Sequence, residues 1–392
     1  MGSRSEPIKG VEPSVLAWAR QSLGLSLDDV ALKLKKPVAT IASWETGDDS
    51  PSYAQLEKLA YDVYHRPLAT FFLPAPPDEV PPQREFRTLP ATDLASLAVD
   101  THLHLRKGHA FQLALRELYG ELNSNRHPIW RNLKLRLSEP IKTQASAIRS
   151  LLGVSLDEQQ GWDSDDTALK KWRTAIEQVG VFVFKSSFKQ RDISGFCLTD
   201  PEFPIIYLNN SVAATRQTFS LMHELAHLLL NVNGLSKYGE SYVDFLPASE
   251  KAIEKFCNAI AAEVLMPSDD FEYAVSRIPF HESELNDSHF ASVARRYGVS
   301  REAVARRLLD AGRISQTFYA SRSAAWSKQK ARSSGGNYYN TQSQYLSYQF
   351  AREVIGRYFN QQLSTNQAAD LLGMKAKNLA GFEQKILQVT SA

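Results

Sequence analysis

The stretch Thr218–Asn231, TFSLMHELAHLLLN, sets two histidines and a glutamate inside an apolar run. Apolar residues at nearly every position predict a helix buried almost all round. His223 and His227 stand four residues apart, so their rings leave one face of that helix, just over one turn apart. Glu224 sits beside the first histidine. A core helix that merely happens to carry these residues would leave three polar groups in need of partners, and an unpaired buried carboxylate is costly. A metal site gives all three a role. Two imidazoles on one face suit Zn²⁺, and Glu224 then acts on metal-bound water as catalytic base.

Such a centre wants a third protein ligand and one open position. Downstream candidates are Glu240, Asp244, Glu250, Glu254 and Glu263. Glu240 and Asp244 fall in a polar, Gly-containing segment read as loop. Over Ala248–Leu265 a second helix is predicted, ended by Pro267. On it Glu254 shares a face with Cys257, Asn258, Ala261 and Leu265, whereas Glu263 points away from that stripe. Glu254 is therefore the choice from spacing.

Upstream, GVFVFKSS, ISGFCLTD and FPIIYLNN are short, rich in β-branched or aromatic residues, and bounded by Gly, Asp, Asn and Pro, which predicts three strands. The strand Ile205–Asn209 is expected at a sheet edge. Helix is predicted over about 93–122, on to Gly153, and from Asp166 to Val179.

HELAHLLL followed by EKFCNAIAAEVLMP resembles the ImmA/IrrE family of bacterial zinc metallopeptidases. The resemblance implies that His223, His227 and Glu254 are metal ligands, that Glu224 is catalytic, and that zinc is the cofactor. Cys257 stands where the family often has Ala, a small residue for a small residue. The motifs cover 180–267, and GGNYYNTQ and AADLLGMKAKNL are similar to longer members more loosely.

The N-terminal segment has its own pattern. Ser26 is a predicted N-cap, Pro37 suits the start of a helix, and Gly47 suits its end. Ile41, Trp44, Glu45, Gly47 and Pro51, with Leu56–Ala60 as LEKLA, resemble the Xre (Cro/C1-type) helix-turn-helix. Thr40 and Ser43 are the candidate DNA contacts on its recognition helix. That helix, Pro37–Glu45, carries no Lys or Arg. Leu27 and Asp28 stand where many relatives have glutamine, and Asp48 and Asp49 where basic residues are frequent. Residues 11–73 carry six basic and eight acidic side chains, a poor balance for neutralising phosphates. Docking of another helix-turn-helix protein is the alternative.

Five prolines between Pro74 and Pro82 predict a semi-rigid linker. The expected organisation is a helix-turn-helix domain over 11–73, a linker over 74–92, a metallopeptidase domain over 93–282 and a helical C-terminal domain over 283–392. Within the metallopeptidase domain, 93–179 is a helical lead-in and 180–270 the core. The fold class is α+β and mostly helical, with a zincin-like central domain holding a small sheet. SKQKARSSGGNYYNTQSQY (327–345) reads as a polar loop.

The net charge of +2 hides an asymmetry, since 295–392 carry fifteen basic and five acidic residues. Arg295, Arg296, Arg301, Arg306, Arg307, Arg313, Arg322, Lys328, Lys330 and Arg332 alternate with Tyr319, Trp326, Tyr338 and Tyr339. Such interleaving suits single-stranded nucleic acid, and a solvated helical face is the plainer account. No apolar run reaches the roughly 18 residues of a membrane span. Two cysteines make no disulfide framework, so a cytoplasmic protein with reduced thiols is expected.

The functional expectation is a zinc endopeptidase cutting a repressor or antitoxin-like partner in a mobile-element, toxin–antitoxin or stress-response system. The alternative is an Xre-type regulator or antitoxin whose zinc domain senses or docks without proteolysis. Expected partners are a helix-turn-helix protein substrate, DNA through 11–73, nucleic acid through 295–392, and a second copy in a homodimer.

Overall fold

The computed structural model describes residues 6–125, 127–238, 241–327 and 344–390. It divides into two compact units, Met1–Lys107 and Gly108–Ala392.

The first unit is helical. Helix α1 (Pro13–Gln21) begins with proline in its first turn. Ser26 caps α2 (Leu27–Leu34), accepting from the Asp29 amide while the Asp29 carboxylate accepts from Ser26, a reciprocal box that satisfies otherwise orphaned amides. Helix α3 (Val38–Thr46) follows and ends at Gly47, whose φ of 84° is a left-handed cap. Helix α4 (Tyr53–Lys58) carries a second such box, between Ser52 and Gln55. Val15, Leu16, Val30, Ile41, Trp44 and Leu56 are buried together. The Arg20 guanidinium holds the Glu45 carboxylate through two contacts of 2.8 Å and so ties α1 to α3.

The second unit takes in the C-terminal half of α5 (Val99–Tyr119), then α6 (Ile141–Leu152) and α7 (Asp165–Gln178). Strands β1 (Phe182–Ser186), β2 (Ile193–Leu198) and β3 (Ile205–Asn209) come next. Helix α8 (Ala214–Leu229) contains the two histidines and is joined to a fourth strand, β4 (Gly234–Lys237), which the sequence reading did not anticipate. The sheet order is β1-β3-β2-β4, with β1 and β3 parallel and the other pairs antiparallel. The strand expected at the edge, Ile205–Asn209, is thus an inner strand, because β1 pairs on its far side. Among the described residues the edge next to α8 is β4.

Alternation along the strands sorts the sheet's two faces. Phe184, Tyr207 and Phe196 stack in a row on one face, and Phe111 of α5 lies 3.9 Å from the Phe184 ring. Val183, Cys197, Ile206 and Leu208 share a core with Leu221 and Leu225 of α8.

Helix α9 (Ala248–Leu265) packs on α8, and α10 (Ser268–Val275) follows. Helices α11 (Asp287–Tyr297), α12 (Arg301–Asp310) and α13 (Gln316–Ser327) share that same core through Phe290, Tyr297, Val304, Leu308 and Trp326. Helices α14 (Tyr348–Phe359), α15 (Thr365–Leu371) and α16 (Leu379–Thr390) complete the unit. The return of the chain before α14 is fastened by a buried pair on α7: Arg173 donates to the Gln344 and Leu346 carbonyls, and Glu177 accepts from the Tyr348 amide. Most of the polar loop expected over 327–345, with Lys328, Lys330, Arg332, Tyr338 and Tyr339, lies outside the described residues.

Five of the arginines singled out in 295–392 are paired. Arg296 pairs with Asp270, Arg301 and Arg322 with Asp287, Arg306 with Asp310, and Arg307 with Glu263. Trp326 is buried and donates to Asp287. No helix among the described residues is long and apolar enough to cross a membrane. Cys197 and Cys257 are buried free thiols.

Candidate metal centre

Helix α8 is buried along its whole second half, and within it His223 and Glu224 are 4% and 0% exposed. The His223 and His227 Nε2 atoms lie 3.0 Å apart. Glu254 projects from α9 with no exposed surface. Its Oε2 is 3.4 Å from His223 Nε2, and its Oε1 is 3.1 Å from His227 Nε2. These three side chains can hold a metal ion, and they form the one such cluster among the described residues.

The donor set fits a zinc-sized cation. Two nitrogens and one carboxylate oxygen are ordinary zinc ligands at about 2.0–2.1 Å, which puts tetrahedral ligand atoms about 3.3–3.4 Å from one another. The two nitrogens lie 3.0 Å apart, and each has one of the two Glu254 oxygens at 3.1–3.4 Å, so the three side chains converge at about that spacing. The electrostatics agree. Burial pushes the Glu254 carboxyl toward its neutral form, but the two histidines outweigh it and hold the group well below the usual carboxylate range. Burial likewise opposes charge on His223, and Glu254 overrides it to raise the imidazole above its ordinary value.

Glu224 faces the same region. Both of its carboxylate oxygens are buried without a hydrogen bond. Strand β4 runs directly across it: a Cβ on Gly234 would stand 2.8 Å from Glu224 Oε2 and 2.9 Å from the His227 ring. Only a residue without a side chain lets the strand approach so closely. The Cys197 thiol, from β2, is pushed upward by burial and by the charge of Glu224.

The other carboxylates considered from sequence lie elsewhere. Glu263 does not point to solvent. It is 7% exposed and bonded to Ser268 and Arg307 in a structural network. Asp244 pairs with Lys251 and is exposed, Glu250 accepts from Ser249, and Glu240 is outside the described residues. Two residues at the centre escaped the sequence reading. One is Gly234. The other is Tyr242, whose hydroxyl donates to Glu254 Oε2 at 2.8 Å. A tyrosine followed twelve residues later by a ligand carboxylate has no periodic signature, and a glycine after a helix looks like any turn.

In the first unit Thr40 is half-buried on α3, and the Ser43 hydroxyl donates back to the Thr40 carbonyl at 2.9 Å. The outward residues of α3 include Val38, Ala39 and Thr46, next to Leu32, which is 80% exposed.

A buried His-Glu-x-x-His helix, a carboxylate from the next helix and a small mixed sheet define a metallopeptidase-type centre. Residues 176–309 match the family described as the IrrE N-terminal-like domain, and residues 16–60 match a helix-turn-helix family. The chain is 36% identical over 80 residues to the radiation response metalloprotease IrrE of Deinococcus deserti, which covers 20% of this chain and 28% of that protein. With the radiation response metalloprotease IrrE of Deinococcus radiodurans it shares 37% identity over 70 residues, 17% of this chain and 21% of that one. The matches thus span between 21% and 28% of these curated relatives. This chain carries an IrrE-like metalloprotease domain joined to a helix-turn-helix domain.

Proposed function

We propose that the protein is a zinc-dependent endopeptidase that cuts a protein partner of the repressor or antitoxin type. The observation that carries the reading is Glu224: a fully buried carboxylate with both oxygens unbonded, adjacent in sequence to His223. A purely structural metal site has no use for such a group. His223, His227 and Glu254 would hold the ion, which when bound supplies a Lewis-acid centre and an activated water. Glu224 would serve as the general base toward the attacking water and as the proton donor to the leaving amine, a role worth roughly 10²–10⁴-fold. The low-polarity walls of α8, α9 and the sheet keep bulk water out and strengthen the electrostatics. Strand β4, at the edge and against Glu224, suits pairing with an extended substrate segment.

For the helix-turn-helix unit the reading is protein docking. The exposed face of α3 offers Val38 and Ala39 and no cation, while Asp28, Asp48 and Asp49 are exposed around it. Apolar contact with a partner's helix uses that face better than base edges would.

The test is incubation of wild type and Glu224→Gln with candidate repressors, beginning with the product of the adjacent gene. Cleavage by the wild type alone, with equal zinc in both proteins, is expected. Identical behaviour of the two zinc-loaded proteins would sink the peptidase reading.

A further inference from the structure

The two oxygens of Glu254 are treated differently by the protein. Oε2 accepts the Tyr242 hydroxyl at 2.8 Å and lies 3.4 Å from His223 Nε2, whereas Oε1 has no hydrogen bond and faces His227 Nε2 at 3.1 Å. A glutamate carboxylate rotates readily about its last bond, because that torsion is broad and two-fold. With nothing to fix it, the carboxylate could turn away from the histidines, and the ligand would lose its preferred setting. Tyr242 removes that freedom.

The tyrosine is well placed to do so. It is 8% exposed and sits on the short 3₁₀ turn Ser241–Phe245. The neighbouring Asp244 is paired with Lys251 of α9 at 2.7 Å, so the turn is fastened to the very helix that carries Glu254.

We propose that Tyr242 is a positioning residue for the metal: by holding Oε2 it fixes the Glu254 carboxylate in the orientation that faces both histidines. The proposal rests on the zinc reading of the site. Hydrogen-bond partners of metal ligands typically change affinity by roughly 10–100-fold when removed.

The experiment is zinc titration of the purified full chain against a chromophoric chelator, for wild type, Tyr242→Phe and Tyr297→Phe, with melting curves of each metal-free protein. Tyr297 is the matched control: its buried hydroxyl donates to Asp270 at 2.6 Å, in the structural network around α10 and α11. The expected result is zinc binding weakened roughly 10–100-fold in Tyr242→Phe and unchanged in Tyr297→Phe, although both lose some stability. Zinc affinity of Tyr242→Phe within about threefold of wild type would overturn the proposal, since that is no more than one ordinary hydrogen bond contributes. Equal weakening in Tyr297→Phe would overturn it too, by tracing the effect to general loosening. A wild-type chain that takes up no zinc would instead overturn the metal reading itself.

Discussion

Gly234 lies against Glu224 so closely that a single added methyl group would stand 2.8 Å from Oε2. The same methyl would meet the His227 ring at 2.9 Å. Neither neighbour is a flexible chain end free to swing aside, because both are buried on α8. Gly234→Ala should therefore displace the base or a ligand. We expect zinc content to fall below stoichiometric and stability to drop by about 1–3 kcal/mol, the usual cost of overpacking. Elemental analysis and a thermal melt check this; full zinc with an unchanged melt would contradict it.

His102, on the first unit's part of α5, provides a pH-dependent stability term. Burial, aided by the charge of Arg106, lowers its pKa from 6.5 to about 4. Between those values the unfolded chain takes up a proton that the folded chain refuses. Stability therefore rises with pH across this window; the contribution is fully present above about 6.5 and is lost as pH falls toward 4. Its ceiling is about 3 kcal/mol. Comparing urea unfolding of wild type and His102→Leu at pH 7 and pH 4.5 isolates it. The wild type should lose more stability than the variant on acidification, and parallel losses would refute the assignment.

The helix-turn-helix unit makes a prediction about salt. Lys33, Lys35 and Lys36 are the exposed cations at the turn between α2 and α3. Three phosphate contacts give a slope of log K against log salt of about −3. Any affinity for duplex DNA measured by gel shift should show a slope no steeper than that. A slope near −6 would mean that many more cations engage phosphate and that this unit reads DNA in earnest.

How much of this was legible beforehand follows from the range of the signals. His223, Glu224 and His227 announce themselves because a helix turns local spacing into a shared face. Glu254 could be picked out because its helix also had a readable stripe, and Ser26 and Gly47 because capping is local chemistry. Sheet order is not local. Nothing in IIYLN says that β1 will pair on its far side, so an inner strand was mistaken for an edge. Strand β4, GLSK, is too short to alternate and carries no β-branched residue, yet it lies nearest the site. Glu263 was rightly read as pointing away from the Glu254 stripe, but helical spacing could not foresee its partner Arg307, which arrives from 44 residues downstream. The pairing of Arg296, Arg301, Arg307 and Arg322 with acids outside 295–392 was equally out of reach, because composition counts charges but not their partners.

Helix α12 grips both of the helices that carry the candidate ligands. Its Glu302 takes Arg216 of α8 at 2.9 Å, and its Arg307 takes Glu263 of α9. In a chain made from its N-terminus, the metal-binding residues thus emerge well before the segment that clamps them. The ties from α12 can form only once translation has passed residue 310. A nascent or truncated copy that stops short of α12 would carry every residue of the motif and still lack both ties, so the fastening of the two helices would arrive with completion of this unit rather than with synthesis of the motif.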